Sequence, residues 1–159
     1  MNKFSHIDEN NKPKMVNVSG KKITKRMASA EALMFLGKDI IKLLNKDEIQ
    51  TRKGPVFQTA VIAGIQAVKK TAELIPMCHP LPLDGIKIDI EIISEEAIRI
   101  LCRVEMEGKT GVEMEALTGA SVSALTVYDM CKAISQKMII KEVKLLEKRG
   151  GKSDILRSQ

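Results

Sequence analysis

From Ile86 to Ile92 the chain alternates without exception, with Ile86, Ile88, Ile90 and Ile92 in one series and Lys87, Asp89 and Glu91 in the other. A period of two places the isoleucines on one side of an extended backbone, which predicts a half-buried strand. Ser94-Glu95-Glu96 breaks the pattern as a turn would. Ile98, Ile100, Cys102, Val104 and Met106 then resume it as the inward face of a second strand. Leu101 falls on the opposite face among Arg99, Arg103 and Glu105, and such a mixed face suits contact with another copy.

Helical patterns flank this hairpin. Residues 55–74 carry Ala60, Ala63, Gly64, Ala67 and Thr71 on neighbouring helical positions, a stripe of small residues that lets another element come close. Pro55 suits the first turn of that helix. Pro76, Pro80 and Pro82 end it and leave a stiff, irregular segment that holds His79. Thr110 and Glu113 stand at capping-box spacing, so a second helix is expected to begin there and to fill Gly111 to Gln136. Met138 to Glu147 reads as the last strand. Upstream, Lys25 to Phe35 reads as a strand, with helix competing because Ala and Met favour it. Met15 to Val18 reads as a short strand, and Gly37 to Lys46 as a short helix before a polar loop carrying Arg52-Lys53-Gly54-Pro55. The sum is β-α-β-β-α-β, an α+β, ferredoxin-like plan: an antiparallel sheet with helices packed on one face.

At 159 residues and 44% hydrophobic content the chain can bury one core, so one domain over 1–159 is expected, with residues 1–14 and 149–159 flexible. It contains no internal repeat and no apolar run of membrane-spanning length. Cys78, Cys102 and Cys131 are odd in number and form no C-x-x-C pair, which fits a reducing, cytoplasmic setting. Lys and Arg number 26 against 20 Asp and Glu, a formal charge of +6 that suits an anionic partner. Nucleic acid is the less favoured anion. Phe4, Phe35, Phe57 and Tyr128 are the only aromatics, and the two most regular strands carry none on which bases could stack.

Three places carry candidate chemistry. Asp129 and Lys132 lie at i and i+3 on one helix face, where they form either an acid/base pair or an ordinary surface ion pair. Cys78-His79-Pro80 lacks further ligands at zinc-site spacing, which leaves His79 as a donor to a bound anion or carbonyl, or as a structural histidine. Lys148-Arg149-Gly150-Gly151-Lys152-Ser153 resembles half of a phosphate loop, but Leu146 stands where the first glycine belongs. Its cations could clamp a polyphosphate or simply form a frayed basic terminus.

Four segments together carry a family resemblance: Met77-Cys-His-Pro-Leu-Pro-Leu83, Lys109-Thr-Gly-Val-Glu-Met-Glu-Ala-Leu117, Tyr128-Asp-Met-Cys-Lys-Ala133 and Gly150-Gly-Lys-Ser153. They closely resemble the MoaC family, the cyclic pyranopterin monophosphate synthases of molybdenum cofactor biosynthesis, from about His6 to Ser153. The resemblance implies a ferredoxin-like fold and a homohexamer built as a trimer of dimers, with sites shared between subunits. It implies a lyase that converts (8S)-3′,8-cyclo-7,8-dihydroguanosine 5′-triphosphate to cyclic pyranopterin monophosphate and diphosphate. An upstream radical SAM enzyme that cyclises GTP would supply the substrate. No resident cofactor or metal is expected beyond Mg²⁺ accompanying the triphosphate, and neither nucleic acid nor membrane is a partner.

Carried over by motif, Asp129, Lys132 and Lys53 are the expected catalytic residues. Met77, Cys78 and His79, with Glu113, Met114 and Glu115, are expected to bind substrate, and Arg26, Lys148 and Lys152 its triphosphate. Clustered lysines would lower one another's proton affinity and yield a neutral amine beside a charged Asp129. The chain departs from the family pattern at Asn17, Pro55, Val61, Arg149 and Asp154. Two other readings compete: a non-catalytic module that senses a nucleotide triphosphate, and a basic nucleic-acid-binding domain.

Overall fold

The two alternating segments pair as expected. In the computed structural model, which describes residue 10 and residues 12–157, β1 is Thr24–Phe35, β5 is Gly85–Ser94 and β6 is Ala97–Gly108. β7 is Ile139–Arg149 and β8 is Ile155–Leu156. The sheet order is β5-β6-β1-β7-β8, with every neighbouring pair antiparallel. Its first four strands give the ferredoxin-like arrangement. β1 is a strand and not a helix because Ala28, Ala30, Ala32 and Met34 alternate into the core, a period-two pattern that overrides the helical preference of Ala and Met.

Both long helices cover one face. α2 (Val56–Lys69) packs on β5, and α4 (Glu113–Cys131) packs on β1, β6 and β7. The small-residue stripe is where the helices meet. A Cβ at Gly64 would lie 2.1 Å from Ser123 Oγ and one at Gly119 would lie 2.5 Å from Cys102 Sγ, so neither position has room for a side chain. The core lies between this layer and the sheet, with Ile98, Ile100, Cys102 and Val104 fully buried. At the end of the alternating run the rule weakens: Ile88 is buried, but Ile92 is exposed.

Several local expectations fail. Residues 15–18 form no strand. Gly37 to Lys46 condenses to α1 (Lys38–Ile41), and the expected polar loop is a small sheet of β2 (Leu44–Asn45), β3 (Glu48–Thr51) and β4 (Gly54–Pro55). The helix at 55–74 breaks at Lys70, leaving α3 (Thr71–Leu74). Glu48 explains how the first turn of α2 is capped without a side chain of its own: its carboxylate accepts from Phe57 N at 2.8 Å and Gln58 N at 3.0 Å.

The Thr110/Glu113 capping box does not form either. α4 starts at Glu113 behind Val112, with no side-chain cap, because Glu113 turns instead to Lys148. The helix ends at Cys131, short of Gln136. The tail expected to be flexible folds back as β8 on β7. Gly150, at φ 83°, makes that turn. Its N–H donates to Asp154 Oδ1 at 3.0 Å, its carbonyl accepts from Thr24 Oγ1, and a Cβ there would lie 1.8 Å from Lys25 O. The expectations for residues 1–9, with Phe4 and His6 among them, for residue 11 and for residues 158–159 lie outside the described residues.

Candidate active site

The C-terminal end of α4 presents Asp129. Its carboxylate is held on both oxygens, by Lys132 Nζ on Oδ1 at 2.8 Å and by Lys53 Nζ on Oδ2 at 2.7 Å. Lys53 also donates to the Asp129 carbonyl at 3.0 Å. It reaches there from the tight β3–β4 turn, in which Gly54 takes φ 112° and Thr51 Oγ1 accepts from Lys53 N and donates to Gly54 O. All three side chains are about half exposed. The hydrogen bonds from Lys132 and then Lys53 hold the Asp129 carboxyl down at about 2. The same contact pushes Lys132 up, which corrects the expected neutral amine: its nearest partner is a carboxylate, whose hydrogen bond and charge outweigh the cost of burial. Carboxylate and ammonium stay charged together.

A second group of expected residues gathers at the N-terminal end of α4. A cavity of about 610 Å³ is bordered by Met77, Cys78 and His79 of the proline-rich segment, by Glu113, Met114 and Glu115 of α4, and by Lys152. Burial pushes the Glu115 carboxyl up, with the charge of Glu113 adding to the effect. Burial, then Glu115, raises the Cys78 thiol. Both shifts run the same way, toward the neutral form of each group. His79 Nε2 carries a hydrogen, since it donates to the carbonyl of Val16 at 2.9 Å. That donor, expected to serve a ligand, is engaged by the chain's own backbone.

Next to this cavity, and sharing Lys21, Thr110, Gly111, Glu113 and Lys152 with it, is a smaller one of about 240 Å³. Arg26, Lys148 and Lys152, the residues expected to hold the triphosphate, all line it. Lys21 and Lys109 join them and were not expected. Lys109 lies inside a motif quoted above, so its position was legible. Lys21 becomes legible only once residues 16–21 are seen to run across the cavity, tied by Lys109 Nζ to Ser19 O at 2.7 Å.

The departures from the family pattern are accommodated. Asn17 Oδ1 accepts from Ser19 N, an acceptor role that a carboxylate would also fill. Pro55 stands at the N-cap of α2, Val61 packs against the core, Arg149 pairs with Glu147, and Asp154 caps the Gly150 turn.

The expected residues thus form two groups, not one. From Glu115 to Asp129 the helix rises about 21 Å, and Lys53, Asp129 and Lys132 line neither of the two cavities at the anion-binding end. Among the described residues no cluster of three or more His, Cys, Asp and Glu is arranged to hold a metal ion, and no helix is long and apolar enough to cross a membrane. Cys102 and Cys131 are buried thiols, pushed up to about 12 and about 11 by that burial.

Comparison with known proteins points one way. The model of the MoaC family matches residues 15–151. A Synechocystis protein named molybdenum cofactor biosynthesis bifunctional protein is 53% identical over 96% of this chain and 45% of its own length. The cyclic pyranopterin monophosphate synthase of Campylobacter jejuni subsp. doylei is 50% identical over 95% of this chain and 96% of its own. The protein of the same name from Xanthomonas campestris pv. campestris is 50% identical over 96% of this chain and 93% of its own. The chain therefore spans less than half of the bifunctional relative and nearly all of the other two.

Proposed function

The chain belongs to the MoaC family, and we propose that it is a cyclic pyranopterin monophosphate synthase of molybdenum cofactor biosynthesis. Its substrate is the cyclo-dihydroguanosine triphosphate made from GTP by an upstream radical enzyme, and its products are cyclic pyranopterin monophosphate and diphosphate. The relatives named synthases favour this over nucleotide sensing.

The observation that carries the reading is the separation of the two groups along α4. A site that uses both then takes the anion-binding end from one copy and the Lys53–Asp129–Lys132 end from another, which fits the homohexamer, a trimer of dimers, that the resemblance implies. In the assembled site the cavity bounded by Met77, His79 and Glu115 holds the guanine-derived part. Arg26, Lys148 and Lys152 hold the triphosphate, and any Mg²⁺ that accompanies it is carried by its own phosphate oxygens. A hydroxyl oxygen of the substrate attacks the α-phosphorus and passes its proton to the lysine amine left neutral by ring opening, the bond to the bridging oxygen breaks, and diphosphate leaves with that electron pair. The cations stabilise the charge that develops. Lys132, whose ammonium form Asp129 favours, and Lys53, which donates to the same carboxylate, supply protons during ring opening, and Asp129 stays ionised throughout.

The test is turnover. Purified protein mixed with the cyclo-dihydroguanosine triphosphate in Mg²⁺ buffer should release diphosphate and the pterin product in equal amounts, and Asp129→Asn should abolish both. Binding of the triphosphate with no product would overturn the reading in favour of a sensor.

A further inference from the structure

A single carboxylate stands among the cations of the smaller cavity. Lys21, Arg26, Lys109, Lys148, Arg149 and Lys152 border it, and Glu113 is the only acidic residue among its described lining. Its carboxylate is committed to Lys148, with Oε1 3.1 Å from Nζ, and both side chains are largely shielded, at 26% and 29% exposed. Glu113 is not spent on the helix, whose first turn has no side-chain cap. Its other oxygen lies against Gly111: a Cβ there would come within 1.8 Å of Oε2. The missing side chain at Gly111 is what lets the carboxylate fold back into the cavity mouth.

An anion fixed inside a cationic cradle competes with any anion that arrives. Lys148 carries three N–H donors, so sharing is geometrically open, but a carboxylate at the same ammonium repels a phosphate oxygen brought alongside it. We propose that Glu113 is the resident counter-anion of this cradle. It occupies Lys148 in the empty site, is displaced by a polyphosphate, and returns to Lys148 as diphosphate leaves. The cradle then selects for charge. A triphosphate or diphosphate displaces the carboxylate, orthophosphate does so poorly, and the diphosphate product is held loosely enough to leave. This inference rests on the assignment of the cradle to phosphate made above.

Calorimetric titration with inorganic pyrophosphate and with orthophosphate, at one fixed ionic strength and without substrate, tests it on the full-length protein. Glu113→Gln should bind pyrophosphate about tenfold tighter than wild type, a factor equivalent to about 1.4 kcal/mol. Orthophosphate should gain at least as much, which narrows the selectivity, while Glu113→Asp should stay near wild type. Lys148→Met should weaken pyrophosphate binding and cancel the gain in the double variant, a non-additivity that general damage to the fold would not produce. Unchanged or weaker binding by Glu113→Gln, with Lys148→Met still harmful, would overturn the counter-anion role and leave the phosphate assignment standing. Pyrophosphate binding insensitive to Lys148→Met, or absent from wild type and variants alike, would overturn both.

Discussion

Gly64→Ala is the sharpest test of how the helix layer is built. The added methyl would lie 2.1 Å from Ser123 Oγ, 2.5 Å from Ile88 Cδ1 and 3.0 Å from the carbonyl oxygen of Gly119. Ile88 Cδ1 can rotate away, and the Gly119 contact is tight but tolerable. Ser123 is the obstacle, because its fully buried hydroxyl donates to Ala60 O at 3.0 Å. Moving the helices apart costs about 2 kcal/mol, as overpacked cores do. Dragging the hydroxyl from its acceptor costs about 2 kcal/mol more. Alanine returns about 1 kcal/mol through its better helix propensity. The net loss is about 3 kcal/mol, a fall of about 6–12 °C in the unfolding midpoint for a chain of this size. Urea titration of wild type, Gly64→Ala, Ser123→Ala and the double variant reads it directly. Ser123→Ala should restore about 2 kcal/mol in the Gly64→Ala background, because it removes the atom in the way. A Gly64→Ala protein as stable as wild type would refute the argument that this contact sets the helix spacing.

Asp129→Asn should abolish turnover while leaving the unfolding midpoint close to wild type, since the group is exposed. With its carboxyl held at about 2, Asp129 should impose no acidic limb on a pH–rate profile between pH 5 and 9, because it titrates only far below that window. Glu115 has the opposite sign. Its folded pKa is raised, so the stability it contributes is full below the unfolded value of 4.5 and is lost as pH rises through the folded one. Glu115→Gln should therefore be more stable than wild type at pH 8, with a smaller difference at pH 4 in paired denaturant titrations. Gly150→Ala should strain a residue at φ 83° and drive a methyl into Lys25 O, releasing β8. Amide exchange at Ile155 and Leu156 should speed up at least about tenfold, the equivalent of 1.4 kcal/mol of local stability.

What the sequence disclosed follows from how local each signal is. β5 and β6 could be read because alternation records burial residue by residue, and the small-residue stripe at Gly64 because close packing excludes side chains. The capping box could not, since Thr110 and Glu113 have the right spacing but Glu113 answers to Lys148, a partner brought in by β7. β2 to β4 were invisible for a different reason. Strands of two to four residues carry too little periodicity to read, and Glu48 caps α2 across nine residues of chain. β8 depends on a turn at Gly150 that the basic composition of the tail disguised. At the site, the pairing of Asp129 with Lys132 was legible as an i, i+3 contact, whereas Lys53 meets Asp129 from 76 residues away, and it read as a loop lysine until the family resemblance put it at the reaction centre. The direction of the Lys132 shift was misjudged because counting nearby lysines ignores which neighbour is closest. The division of the site between the two ends of α4 emerges only when the helix is laid out at its full length.

That division is the central claim, and complementation tests it most directly. Asp129→Asn disables one end of α4 and Lys148→Met the other, so assemblies of either variant alone should be inactive. Unfolded together in equal amounts and refolded as mixed assemblies, the two should recover about a quarter of wild-type turnover, the statistical share of sites that draw both intact ends from different chains. Mixed assemblies that remain as inactive as either parent would contradict a site shared between copies.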